Sequence, residues 1–156
     1  MRKLLFLVIL FFPLEAWVGS TNYGEYSDKD NLVTVLYGNL SSVDASPEVL
    51  AKLAKESASN ERKAEEIYKH LDRYFRDLRQ KYRGNLLPCP PMSTYDSHVD
   101  PNDEGGVRAY QKAGKPSQVY FQLGSFVVVV LNFKTLPDYK ILNELNQHLI
   151  EEYKKF

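Results

Sequence analysis

The sequence predicts an α+β domain, and three observations point to it. A helical repeat of apolar residues spans 46–83, β-branched and alternating runs fill 107–131, and a second amphipathic stretch closes the chain at 138–155. An all-α bundle is the alternative, because short apolar runs fit a buried helix as well as a buried strand. The chain of 156 residues is one domain in length, and 44% hydrophobic with 26% charged residues is globular composition. Twenty basic and twenty acidic residues cancel, so charge favours neither nucleic acid nor an anionic membrane as partner.

The first segment reads as an address. Arg2 and Lys3 precede nine apolar residues, Leu4 to Phe12, and Pro13 ends the run before a polar region. This is the order of a secretory signal peptide, and the run is about half the ~20 residues a membrane helix needs. Small residues at minus one and minus three place cleavage after Ser20, with Val18 at minus three; cleavage after Ala16 is the alternative. Segment 1–20 is therefore expected to leave, together with Arg2, Lys3 and Glu15. The mature chain then carries 18 basic residues (20 − 2) and 19 acidic (20 − 1), with no membrane anchor.

Residues 21–45 are expected to form an N-terminal arm and a short helix. Thr21 to Asp30 has no apolar period. Leu32, Val33, Leu36, Tyr37 and Leu40 recur at helical spacing behind Asp30, a candidate N-cap, although Val33 and Val35 also suit a strand. The globular domain is expected over 46–156. Ser46-Pro47-Glu48 combines a capping hydroxyl, a proline that loses no helix hydrogen bond and an acid at the positive end of the dipole. From there Leu50, Leu53, Ala64, Ile67, Leu71, Tyr74 and Leu78 follow a seven-residue repeat, which also lands on Ser57 and Asn60. The reading is either one long helix with a polar waist or a pair of helices broken at Lys55–Lys63. Gly84 suits the stop.

Segment 85–106 holds Pro88, Pro90, Pro91 and Pro101 among Asp and Gly, and is expected to be a long loop. Val119, Phe121 and Leu123 alternate with Gln118, Tyr120 and Gln122. Gly124-Ser125 then supplies a two-residue turn before Phe126 to Leu131. That register opposes Val119, Phe121 and Leu123 to Val130, Val128 and Phe126. Val127 and Val129 then face away and need cover from a helix on each side or a dimer interface. Val107 to Lys112 is read as a third strand. The last helix begins near Pro137-Asp138 and shows Ile141, Leu142, Leu145, Leu149 and Tyr153 to the core.

Cys89 is the only cysteine and sits in Leu87-Pro88-Cys89-Pro90-Pro91, where the prolines exclude helix and central strand and predict an exposed backbone. In an oxidising compartment that predicts an intermolecular disulfide to a protein partner or second copy; the plain alternative is a thiol packed under the loop. Asn39-Leu40-Ser41 is the one N-glycosylation sequon, at the Gly38 turn. His70 and His148 stand on charged helices and read as solvated or half-covered. Asp96, His98, Asp100, Asp103 and Glu104 crowd one loop, but an EF-hand starting at Asp96 needs glycine where Pro101 stands and an acid where Val107 stands, and zinc wants more His or Cys. No metal and no cofactor are expected. There is no G-x-S-x-G, no Walker loop and no G-x-G-x-x-G, so the expectation is a non-enzyme.

Together these predict a secreted, soluble, non-enzymatic binding protein, an extracellular effector in defence or reproduction, presenting Tyr23, Tyr26 and Tyr95 in loops. The first alternative is a carrier of a small apolar ligand held between the helices and the Val-rich hairpin. The second is a hydrolase or protease inhibitor. One helix before an antiparallel meander is similar to the cystatin layout, but Gln118-Val119-Tyr120-Phe121-Gln122 lacks the glycine of that family's Q-x-V-x-G loop, and no family is assigned.

Overall fold

The computed structural model describes residues 19–20, 23–38, 43–44, 46–89, 106–110 and 116–156, with the backbone alone given at 19–20, 43–44 and 50. Segment 1–18, Asn39, Tyr95 and the acidic cluster Asp96 to Glu104 lie outside the described residues.

The chain is α+β, and the sheet rules out the all-helical alternative. In order come β1 (Gly19–Ser20), β2 (Gly24–Ser27), β3 (Val33–Tyr37), β4 (Val43–Asp44), α1 (Pro47–Lys81), β5 (Leu86–Leu87), β6 (Gly106–Tyr110), β7 (Ser117–Gly124), β8 (Val127–Phe133) and α2 (Tyr139–Lys154). The antiparallel main sheet runs β2-β3-β8-β7-β6, with β5 also pairing β8. Because Asn132 and Phe133 bond β7 on one side, their pairing with Leu87 and Leu86 places β5 on the β3 side, past the end of β3. The short β1 and β4 pair separately.

The expected short helix before Gly38 is instead β3. Its apolar residues fit either form, but Val33, Thr34 and Val35 are β-branched, and all five residues pair with β8. Part of the expected arm is β2, which pairs β3 from Gly24↔Tyr37 to Ser27↔Thr34. A type of local evidence loses here to long-range pairing.

The Ser46 hydroxyl accepts from Val49 N at α1's start, Pro47 opens it, and Gly84 at φ 84° follows its end. The helix is continuous for 35 residues, about 52 Å at 1.5 Å per residue. Its polar waist receives β2. A Cβ on Gly24 would lie 2.0 Å from Glu61 N and 2.4 Å from Asn60 C, and Ser57 Oγ donates to the Tyr23 carbonyl at 2.7 Å. A leucine seam would hold that strand away from the helix. Small and polar residues at the waist let the backbones meet.

The hairpin turn is Ser125-Phe126, one residue later than Gly124-Ser125. Gly124 pairs Val127, Gln122 pairs Val128, and Leu123 is accommodated by a bulge, with Phe126 at φ 63°. A one-residue shift exchanges the faces of a strand. Val127, Val129 and Leu131 therefore share a core with Val119, Phe121, Val33 and Val35. Both helices cover that same face, so of the two expected arrangements the helix on each side is not found: Ile67, Leu71 and Phe75 of α1 and Leu142 and Leu149 of α2 all belong to this core. The opposite face carries Leu36, Tyr120, Val128 and Val130, with Cys89 packed against them.

The helix phases also differ from the seven-residue reading. Phe75 is fully buried, while Tyr74 is only partly covered. A straight α-helix drifts about 20° per heptad from a strict 3.5 repeat, so one lying on a sheet buries 64, 67, 68, 71, 75 and 78. In α2, Ile150 and Asn146 are buried and Ile141 is exposed.

Candidate functional site

The displaced residues Tyr74 and Ile141 meet in a groove between the two helices. Its α1 wall is Tyr74, Asp77, Leu78 and Lys81, and its α2 wall is Ile141, Glu144, Leu145 and His148. Each set has the spacing i, i+3, i+4, i+7, so each is a single helical stripe. Tyr82 closes one end, and the cavity is about 200 Å³.

The helices run antiparallel beside one another. His70 Nε2 donates to the Glu152 carbonyl at 2.8 Å, and the Tyr74 and His148 rings lie 6.4 Å apart, so rising numbers on α1 meet falling numbers on α2. Lys63 extends the series, with its ammonium 4.5 Å from the Phe156 ring centre. Leu78 and Leu145 form a buried floor. Tyr82 stands edge-on to Phe133 at 5.5 Å and is thereby fixed to the end of the sheet. Ile141 remains 40% exposed, which leaves an apolar lip on an otherwise polar rim of Asp77, Lys81, Glu144 and His148. Burial raises the Tyr74 phenol above its ordinary pKa, and the neighbouring Tyr82, Glu152, Glu151 and Asp77 raise it further.

Of the residues singled out in the sequence, His148 lies in this groove and His70 braces the helix pair beside it. Cys89 lies elsewhere, and partly buried where an exposed loop position was expected. Its N–H donates to Asn31 O at 2.7 Å, and its Sγ lies 3.6 Å from Val130 O and 3.9 Å from Leu32 O. Beside it, Asn132 Nδ2 donates to Pro88 O at 3.0 Å. Further along the same sheet face Arg108 donates to Gln122 at 2.9 Å, Tyr120 donates to Gln118 at 2.9 Å, and Tyr110 stands edge-on to Tyr120. The groove was missed because a seven-residue repeat assigns Tyr74 to the core. Two matching mixed stripes, one on each helix, were its signal.

Among the described residues no group of three or more His, Cys, Asp or Glu is placed to hold a metal ion, and no helix is long and apolar enough to cross a membrane. No family model, curated protein or solved structure matches the chain.

Proposed function

We propose that the chain is an exported binding protein and that the groove between α1 and α2 is part of its contact surface. Export rests on the leader-like order of Arg2-Lys3, Leu4 to Phe12 and the polar stretch after Pro13. The observation that carries the binding role is the groove, with a buried Leu78 and Leu145 floor, tyrosine sides and an exposed Ile141 lip. Its size separates two kinds of ligand. Sites for whole small molecules are about 300–1,000 Å³, whereas this one is about 200 Å³ and open. A space of that size suits one anchoring side chain of a protein partner. The interior between helices and sheet is filled by Phe75, Phe121 and Phe133, each 0% exposed, which weighs against a carrier of an apolar ligand.

Expression of the full chain in a secreting eukaryotic culture tests the first half. Intact mass should show protein in the medium beginning at Thr21; protein retained in cells with residue 1 intact removes export. Titration of the labelled secreted protein with N-acetyl-leucinamide, N-acetyl-phenylalaninamide and N-acetyl-argininamide tests the second. Saturable amide shifts confined to 74–82 and 141–148 support the site, and no shift with any probe removes it.

A further inference from the structure

We infer that the groove recognises a cation, the guanidinium or ammonium group of an Arg or Lys side chain on the partner protein. This rests on the groove being a binding site, as proposed above, and adds the chemistry of what enters it. Tyr74 and Tyr82 provide aromatic sides, and ring faces attract cations through their quadrupole. Asp77 and Glu144 line opposite walls of the groove, one carboxylate from each helix. Glu151 and Glu152 act on the Tyr74 phenol in the same sense as Asp77, raising its pKa.

A resident cation already samples this environment. Lys81 lies on the rim with Nζ 5.5 Å from the Tyr82 ring centre, and among the described residues Lys81 is the lone Lys or Arg of the lining against two carboxylates. Lys81 is exposed and can move aside, which gives the inference a distinctive sign: removing this positive charge should strengthen binding of a cation and weaken binding of an anion. Arginine also fits the apolar part of the groove, since its stem packs on apolar surface while its planar head stacks on tyrosine and pairs with carboxylate. It is among the residues that most often anchor protein interfaces.

The test is an amide-shift titration of the full chain with N-acetyl-argininamide, its neutral isostere N-acetyl-citrullinamide, and N-acetyl-aspartamide as the anion. The arginine probe should saturate shifts at 77–82 and 144–148, with the citrulline probe binding at least about fivefold more weakly. Lys81→Met should tighten the arginine probe about two- to fivefold. Asp77→Asn and Glu144→Gln should each loosen it by a similar factor, the size expected of a partly solvated ion pair. The amide spectrum of each variant reports directly whether it is folded. Equal binding of the citrulline probe, preference for the anion, or weaker arginine binding in Lys81→Met overturns the inference. Groove shifts with the leucine or phenylalanine probe in those cases leave the binding role standing; silence from every probe removes both.

Discussion

At the scale of single residues, Gly24 and Glu25 show how β2 is held against α1. Gly24 has no room for a methyl group, since the atoms it would meet are helix backbone at 2.0–2.4 Å. Relief requires moving the strand off the helix, and overpacking of that kind costs about 3 kcal/mol or more. Gly24→Ala should therefore lower the unfolding free energy by that amount, read as a fall in the urea midpoint at unchanged slope, and an unchanged midpoint shows that β2 does not approach so closely. Glu25 is different in kind. Partial burial raises its carboxyl above the ordinary 4.5, and Glu61 raises it further. The folded state then holds the proton more tightly than the unfolded chain, so the stability tied to this group is fully present below about pH 4.5 and is lost as pH rises through the folded value. Glu25→Gln should raise stability at pH 7, within about 0.5 kcal/mol because the group is solvated, and should match the parent near pH 3.5. Parallel stability curves across that range contradict this. Sequence reading reached neither residue. Gly24 sits in a polar stretch without period, and the meaning of its missing Cβ comes from Asn60 and Glu61, far along the chain.

Elements were legible where a local pattern agreed with the long-range contacts. The start of α1 at Ser46-Pro47, its stop before Gly84, the third strand after Gly106 and the last helix behind Asp138 all follow local rules. Two elements were misread for related reasons. Leu32 to Tyr37 has apolar spacing common to helix and strand, and pairing with β8 decides it. At the hairpin, Gly124 takes a paired position while Phe126, an aromatic residue, takes the positive φ; turn chemistry alone selects the glycine. The phase of α1 offers the sharpest element-scale test. Burial at Phe75 means that Phe75→Ala should cost about 3–5 kcal/mol, while Tyr74→Ala, which empties a groove wall, should cost about 1 kcal/mol. Thermal or urea unfolding of the two variants compares them directly. The reverse order would restore the seven-residue phase and bury the groove's tyrosine.

Across the whole molecule, the two faces of one sheet are treated unequally. Both helices serve one face, and the rim of their junction becomes the groove; the other face keeps Leu36, Tyr120, Val128 and Val130 buried with Cys89 against them. Thr34, Gln122 and Asn132 are buried on that second face too, so it mixes apolar packing with amide and hydroxyl hydrogen bonds. The 88–89 segment is tied down twice, by Cys89 N to Asn31 O and by Asn132 Nδ2 to Pro88 O. Those ties join the β2–β3 turn to β8 and set the thiol toward the sheet. A disulfide through Cys89 to another chain is therefore hindered while the thiol packs against Val130. Reaction of the native protein with a thiol-selective disulfide reagent should be at least about tenfold slower than in 6 M guanidinium, because attack waits on local opening. Substituting Asn132→Ala removes one tie without touching the thiol, and should speed the native reaction while leaving the denatured rate unchanged. A native rate equal to the denatured one places Cys89 at the surface, where a covalent partner meets no structural barrier.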